Sequence, residues 1–190
     1  PLLVFPAVTT LMTPMVLALT APPHALSHAQ VGLIGLSGLA GVLGASCAGR
    51  LADRGQAQRA SGLGLACMLL SWIPIALLPH SLWGLIAGAI AIDFGLQSVH
   101  VANQSLIYRA RPQAQSRVAA GYMVFYSVGC ALGAIASTVV YARAGWYAVC
   151  LLGAALSATA TLFWAATRGR AGMAGCGPDP RFGPHSGEGP

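Results

Sequence analysis

The chain has 190 residues, of which 56% are apolar and only 7% are charged. An average soluble domain has about 25% charged residues, so this composition excludes an ordinary soluble protein. The ten basic residues, all of them Arg, give a formal net charge of +6. They lie between long apolar runs, in the places that membrane topology favours, so we expect no nucleic acid partner.

Long uncharged runs divide the chain into six predicted membrane spans. About 20 apolar residues, each rising about 1.5 Å, cross a hydrocarbon core of about 30 Å. We therefore predict an all-α membrane protein with a six-helix transmembrane domain over residues 1–168. The Gly- and Pro-rich residues 169–190 are predicted to form a disordered cytoplasmic tail. The predicted spans cover about residues 2–20, 31–49, 60–78, 83–105, 118–141 and 145–166.

The first predicted span begins in the middle of an apolar run and without Met. It contains Pro6 and Pro14 and has no basic segment before it, so it does not fit a signal peptide. We expect the chain to be a fragment of a longer protein.

In the second predicted span, glycine recurs at every third residue. Small residues let two helix backbones approach closely, so we expect this helix to pack against a neighbour. Gly129 and Gly133 form a similar GxxxG pair in the fifth span. The glycines of the second span are Gly32, Gly35, Gly38, Gly41 and Gly44.

The arginines alternate between successive loops. The loops after the second and fourth spans and the tail contain three each, whereas the remaining loops contain only Arg143. The positive-inside rule therefore places the arginine-rich side, and both ends of the chain, in the cytoplasm. The nine arginines on that side are Arg50, Arg54, Arg59, Arg109, Arg111, Arg117, Arg168, Arg170 and Arg181.

The fourth predicted span carries Asp93 after a long uncharged run. On a helix that advances about 100° per residue, Gln97, His100 and Gln104 lie within about 40° of it. A charge at the membrane centre costs about 2.5–3.5 kcal/mol on insertion scales, so we expect Asp93 to face a cavity or a partner. Asp93 would exchange a proton or bind a cationic substrate, with His100 as a proton partner. We expect Gln97, Asn103 and Gln104 to line the same cavity; a structural hydrogen-bond network is the alternative.

Two further patterns have a less specific meaning. Tyr122 and Tyr126 lie four residues apart in the fifth span and either line that cavity or belong to the packed core. His24 and His28 have the same spacing, but no acidic residue accompanies them. The five cysteines form no CxxC pair, so we predict neither a metal site nor a disulfide framework.

The charged turn GRLADRGQAQR begins at Gly49 and joins the second and third spans on the arginine-rich side. It resembles the signature loop G-x-L-A-D-R-x-G-R/K-R/K of the major facilitator superfamily. The resemblance implies that Asp53 lies at a helix N-terminus and forms a conformational latch with Gly49, Arg54 and Arg59. The turn departs from the pattern because Gly55 comes one position early and only Arg59 remains of the basic pair.

Three later segments extend this resemblance. They look like the last three helices of the C-terminal half of bacterial drug- or sugar-efflux members. The resemblance implies the C-terminal six-helix half of a twelve-helix transporter in a bacterial inner membrane, completed by an N-terminal six-helix half. It also implies proton-coupled efflux of a small molecule by alternating access, driven by the proton gradient and without a bound cofactor. The segments read DFGLQSVHVANQSLIY, SRVAAGYMVFYSVGCALG and YARAGWYAVCLLGAAL.

Two alternatives belong to other classes. A six-span channel, or another membrane module that is not a transporter, would explain the polar stripe but not the charged turn. An intramembrane serine protease similar to the rhomboids would use Ser37 of the GLSG segment as nucleophile and His100 as base. In that family the corresponding residues lie in the fourth and sixth spans, but here they lie in the second and fourth. We therefore predict that the chain is not an enzyme.

Overall fold

The computed structural model describes residues 2–22, 24–110 and 115–174. Within these ranges every regular element is a helix, which confirms the all-α prediction. Parts of the predicted fourth loop and tail, residues 111–114 and 175–190, lie outside the described residues. The elements are α1 (Val4–Thr20), α2 (His28–Ile34), a 3-10 helix (Gly35–Gly38), α3 (Leu39–Asp53), α4 (Ala57–Ala76), α5 (Leu82–Ala110) and α6 (Gln115–Ala174).

Four helical stretches among the described residues are long and apolar enough to cross a membrane. Together with the composition they indicate a membrane protein. Helix α1 is also apolar but has only 17 residues. The number of times that the chain crosses the membrane stays a prediction. The four stretches are His28–Asp53, Ala57–Ala76, Leu82–Arg109 and Gln115–Arg168.

Helix α6 is broken at Gly145, whose backbone has φ 73° and ψ −166°. Glycine adopts a positive φ without steric cost, whereas other residues rarely do. The break falls in the predicted ARAG turn and divides α6 into two arms, residues 115–144 and 146–174. The second arm remains helical to Ala174, beyond the predicted end of the sixth span.

Hydrogen bonds from two tryptophan indole N–H groups hold the second arm of α6 against α4. Trp146 Nε1 donates to the Ile75 carbonyl at 3.0 Å, near the C-terminus of α4. Trp164 Nε1 donates to Gln58 Oε1 at 3.1 Å, near the N-terminus of α4. The second arm therefore runs antiparallel to α4.

The first arm of α6 packs on α1 through the two glycines of the GxxxG pair. A Cβ atom added at Gly129 would lie 3.1 Å from Pro6 Cδ, and one added at Gly133 would lie 2.7 Å from Pro6 Cα. These distances leave no room for a side chain, so the prediction of close packing at this pair is confirmed.

Helix α3 packs on α5 through the last two glycines of its glycine series. A Cβ atom at Gly41 would lie 2.7 Å from Gln97 Cγ, and one at Gly44 would lie 3.0 Å from the Phe94 carbonyl carbon. The prediction of close packing is confirmed for these two positions. No atom of the described residues lies within 4 Å of a Cβ added at the other three glycines of the series. Those glycines are Gly32, Gly35 and Gly38.

Helices α4 and α5 cross with their backbones in direct contact. A Cβ atom at Gly64 would lie 2.8 Å from the Gly95 carbonyl oxygen, and one at Gly95 would lie 2.6 Å from the Gly64 carbonyl oxygen. Helix α5 is therefore held tightly between α3 and α4. This arrangement fixes the position of the polar residues that α5 carries.

Candidate functional site

Asp93 lies in the middle of α5, which is an unbroken helix from Leu82 to Ala110. Its carboxylate is half-buried and accepts a hydrogen bond from the Ser37 hydroxyl, with 3.1 Å between Oδ2 and Oγ. Ser37 belongs to the 3-10 helix that separates α2 from α3. A short 3-10 stretch inside a longer helical segment often marks a hinge, so Ser37, the partner of Asp93, is a candidate hinge residue.

Gln97 lies one turn further along α5 and covers Gly41 of α3 at close range. Its neighbour Ser98 is buried and donates a hydrogen bond to the Gly44 carbonyl at 3.1 Å and to the Phe94 carbonyl at 2.8 Å. Because Gly41 and Gly44 have no side chains, α3 lies close enough to α5 for Ser98 to reach the Gly44 carbonyl. This part of the stripe joins α5 to α3.

His100 faces two other helices. Its Nδ1 lies 2.9 Å from the Tyr122 hydroxyl on the first arm of α6, and Tyr122 is only 6% exposed. The Phe5 ring of α1 meets the His100 ring edge-on at 5.3 Å and the Tyr126 ring at 4.3 Å. We call Phe5, His100, Tyr122 and Tyr126 the His100 cluster. A tyrosine hydroxyl donates to an unprotonated Nδ1 and accepts from a protonated one, so this contact suits either state of the ring.

The stripe on α5 therefore has two titratable groups with separate partners. Asp93 and His100 are seven residues apart, about 10 Å along the helix. Asp93 is bonded to the 3-10 helix and His100 to α6. Both described partners are neutral hydroxyls, so each group can change its charge without breaking an ion pair with that partner.

A cavity of about 820 Å³ lies between α1, α4, α5 and both arms of α6. Of the five residues predicted to line a common pathway, Asn103 lies in its wall, but Asp93, Gln97, His100 and Gln104 do not. Tyr122 also lines the cavity, so His100 is one hydrogen bond away from it. Gln97 is turned away from this space because it packs against α3, and Tyr122 lies between His100 and the cavity.

A smaller apolar groove of about 460 Å³ lies beside the Asp93 contact. It runs between the 3-10 helix, α3 and α5, and Ser37 is the polar residue of its wall. The Asp93 carboxylate is therefore separated from the open space of the groove by one hydrogen bond, the one from Ser37.

The charged turn differs from its predicted geometry at Asp53. Asp53 is the last residue of α3, and α4 begins only at Ala57, so the expectation that Asp53 lies at a helix N-terminus is wrong. Gly55, with φ 75°, ends α3, and its N–H donates to the Ala52 carbonyl at 2.9 Å. Glycine in this left-handed conformation is a common helix terminator. A helix therefore ends where the pattern predicts that one begins.

Arg109 is a residue of this turn region that the sequence argument did not identify as part of the latch. Its Nη2 donates to the Ala52 carbonyl at 2.7 Å and so ties the end of α5 to the end of α3. A cation near a helix C-terminus also complements the helix dipole. The predicted latch residues Asp53, Arg54 and Arg59 are exposed around this contact, and Gly49 is partly buried.

Comparison with known proteins identifies the family. The sequence model of the Major Facilitator Superfamily matches residues 2–182. The chain belongs to this superfamily. It is similar to the uncharacterized transporter YgaY of Escherichia coli O157:H7 and to YgaY of Escherichia coli strain K12, with 41% identity over 162 residues in each case.

Each of these two matches covers 85% of this chain and 41% of the relative. The chain therefore spans about two fifths of the length of the curated relatives that it matches. No solved structure matches it. The resemblance of the charged turn to the superfamily's signature loop is thus confirmed at the level of the family.

In this member of the superfamily, the side chains suggested for a protease are bonded elsewhere. The Ser37 hydroxyl donates to Asp93, and His100 Nδ1 contacts Tyr122. Among the described residues, no group of three His, Cys, Asp or Glu side chains could hold a metal ion.

Proposed function

We propose that the chain is the C-terminal six-helix half of a twelve-helix transporter in a bacterial inner membrane. The helix lengths support this count. The apolar stretch Gln115–Arg168 has 54 residues, whereas about 20 suffice for one crossing, and its break at Gly145 divides it into two. The rod His28–Asp53, α4 and α5 add one crossing each, and α1 adds the last.

In the function that we propose, the full protein exports a small molecule against an inward flow of protons. A proton-coupled transporter needs a protonatable group that is shielded from lipid and reached in turn from the two sides. The observation that carries this proposal is the half-buried Asp93 carboxylate at mid-length of α5, bonded to the hinge-like 3-10 helix through Ser37.

The mechanism follows from the two contacts of α5. Protonation of Asp93 removes a negative charge that the Ser37 hydroxyl solvates, and this weakens the link between α5 and the 3-10 helix. His100 exchanges a proton two helical turns further along the stripe, and the Tyr122 hydroxyl accommodates both states of the ring. The substrate would lie between this half and the N-terminal half, with Gln97, Asn103 and Gln104 as further polar contacts.

The charged turn has a separate role in this proposal. Gly49, Asp53, Arg54 and Arg59 would form the conformational latch on the cytoplasmic side, as the signature loop implies. The Arg109 hydrogen bond to Ala52 supports the proposal because it joins α5, which carries the proton site, to the base of that turn.

Transport by the full-length protein in proteoliposomes tests the proposed function. Cationic and neutral dyes would be loaded, and dye flux and internal pH would be recorded with and without an imposed pH gradient. We expect at least one dye to move against its gradient only while the pH gradient lasts, and proton movement to accompany it. Flux that is always passive and independent of the pH gradient would contradict the proposal and favour the channel alternative.

A further inference from the structure

The cavity of about 820 Å³ has a mostly apolar lining, and its charged lining residue, Arg168, lies at the arginine-rich end. Gln58, Thr167 and Arg168 form its rim, whereas Leu65 and Ala160 lie at its floor. Ala160 and Arg168 are eight residues apart on one helix, so the rim lies about 12 Å from the floor. A charged residue at one end of a mostly apolar cavity fits an amphiphile, with its charged group at the rim and its apolar tail at the floor.

The cavity opens sideways between the two arms of α6. Phe125 of the first arm and Phe163 of the second both line it, yet they are 55% and 64% exposed. Neighbouring side chains on the same surface, such as Val124 and Leu162, are also apolar and exposed. We take this surface to face the acyl chains rather than the N-terminal half, so that a ligand would enter from the bilayer.

The positive charge of Arg168 at the rim favours an anionic ligand. The Arg168 guanidinium lies 5.3 Å from the centre of the Trp164 ring, which orients it without using its N–H donors. The Trp164 indole is itself held by Gln58. The rim is also at the end of the bundle where the exposed Arg54 and Arg59 lie. Basic pockets between membrane helices at an arginine-rich face are suited to anionic lipid headgroups.

We propose that this cavity binds one anionic phospholipid from the leaflet at the arginine-rich end, with its phosphate at Arg168 and an acyl chain inserted as far as Ala160. The site is separate from the Asp93 contact; it rests on the proposed membrane topology and on this face of the chain being turned to lipid rather than to the N-terminal half. Lipid in the cavity would fill the space between α5 and the two arms of α6. It would thereby stabilise the position of Tyr122 in the cavity wall.

Native mass spectrometry of the delipidated full-length protein tests this proposal, with dioleoyl phosphatidylglycerol and dioleoyl phosphatidylcholine as competing probes. We expect wild-type protein to retain phosphatidylglycerol in preference to phosphatidylcholine. Arg168→Gln should weaken the retention of phosphatidylglycerol by about fivefold, because one surface arginine is lost. Ala160→Phe should abolish it by filling the floor. Arg143→Gln, at the other end of the bundle, is the matched control and should change nothing.

Equal retention of the two lipids, or equal losses in Arg168→Gln and Arg143→Gln, would overturn the proposal. Arg168 is exposed at the rim, so its substitution leaves the core intact and decides the question even if Ala160→Phe does not fold. Because the readout is lipid binding, the result is independent of whether the protein transports protons.

Discussion

The Tyr122 hydroxyl lies 2.9 Å from His100 Nδ1 and joins the first arm of α6 to α5. It is the one contact of the His100 cluster that can carry or orient a proton, because the remaining contacts are between rings. Tyr122 also reaches the cavity wall, so the contact connects the stripe on α5 with the open space inside the bundle.

Substitution of Tyr122 by Phe should separate this polar contact from ring packing. The ring remains, so we expect about 1 kcal/mol of destabilisation from the lost hydrogen bond and a clear loss of proton-coupled flux. Tyr126→Phe is the matched control, because Tyr126 contacts Phe5 through its ring. Flux and thermal unfolding of both variants would be measured in the full-length protein. Equal flux in the two variants would show that Tyr122 only fills space.

Glycine-to-alanine substitutions should affect stability differently at the closely packed Gly44 and at Gly38, which has no neighbour within 4 Å of an added Cβ. Gly44→Ala places a Cβ atom 3.0 Å from the Phe94 carbonyl carbon and 3.1 Å from its Cα, and backbone atoms cannot move aside. We expect a destabilisation of roughly 1–3 kcal/mol. Gly38→Ala meets no atom within 4 Å and should be neutral or stabilising by up to about 1 kcal/mol. Thermal unfolding in detergent gives the comparison; similar midpoints for the two variants would contradict the close packing of α3 on α5.

Substitution of Arg109 by Gln should loosen the charged turn. The hydrogen bond to the Ala52 carbonyl is lost, and about 1 kcal/mol corresponds to an approximately fivefold larger population of the opened turn. Limited trypsin digestion would report the cleavage rate after Arg54, which follows that population. Arg117→Gln, on the same side but on α6, is the control. Unchanged cleavage in Arg109→Gln would mean that the contact does not restrain the turn.

The proposed six crossings can be checked by labelling intact cells with a membrane-impermeant maleimide. In a cysteine-free background, we expect His80→Cys to react from outside and Arg59→Cys to react only after the membrane is permeabilised. The reason is that the two positions lie at opposite ends of α4. Labelling of both from the same side would exclude this topology.

The sequence predicts best those features that depend on local pattern. The positions of α4 and α5, the break near Gly145 and the close packing at Gly129 and Gly133 follow from apolar length, glycine conformation and residue size. The four polar residues of the stripe share one side of α5 because the helix is continuous. None of these features requires knowledge of which helices are neighbours.

The remaining features depend on tertiary contacts that spacing does not encode. Ser37 and Asp93 are 56 residues apart, and only the approach of α3 to α5 brings them together. The same approach packs Gln97 against α3 and so turns it away from the large cavity. The signature pattern predicts the wrong end of a helix for Asp53 because it does not encode the positive φ of Gly55, which ends α3.

The central claim is that Asp93 exchanges the proton that drives transport. The most direct measurement is dye flux under an imposed pH gradient in proteoliposomes that contain the full-length protein, with Asp93→Asn and Asp93→Glu as variants. The account predicts that Asp93→Asn reduces gradient-driven flux to the protein-free background, while Asp93→Glu, which keeps a carboxylate, retains part of it. Undiminished gradient-driven flux in a folded Asp93→Asn protein would contradict the claim and leave the Ser37–Asp93 hydrogen bond with a purely structural role.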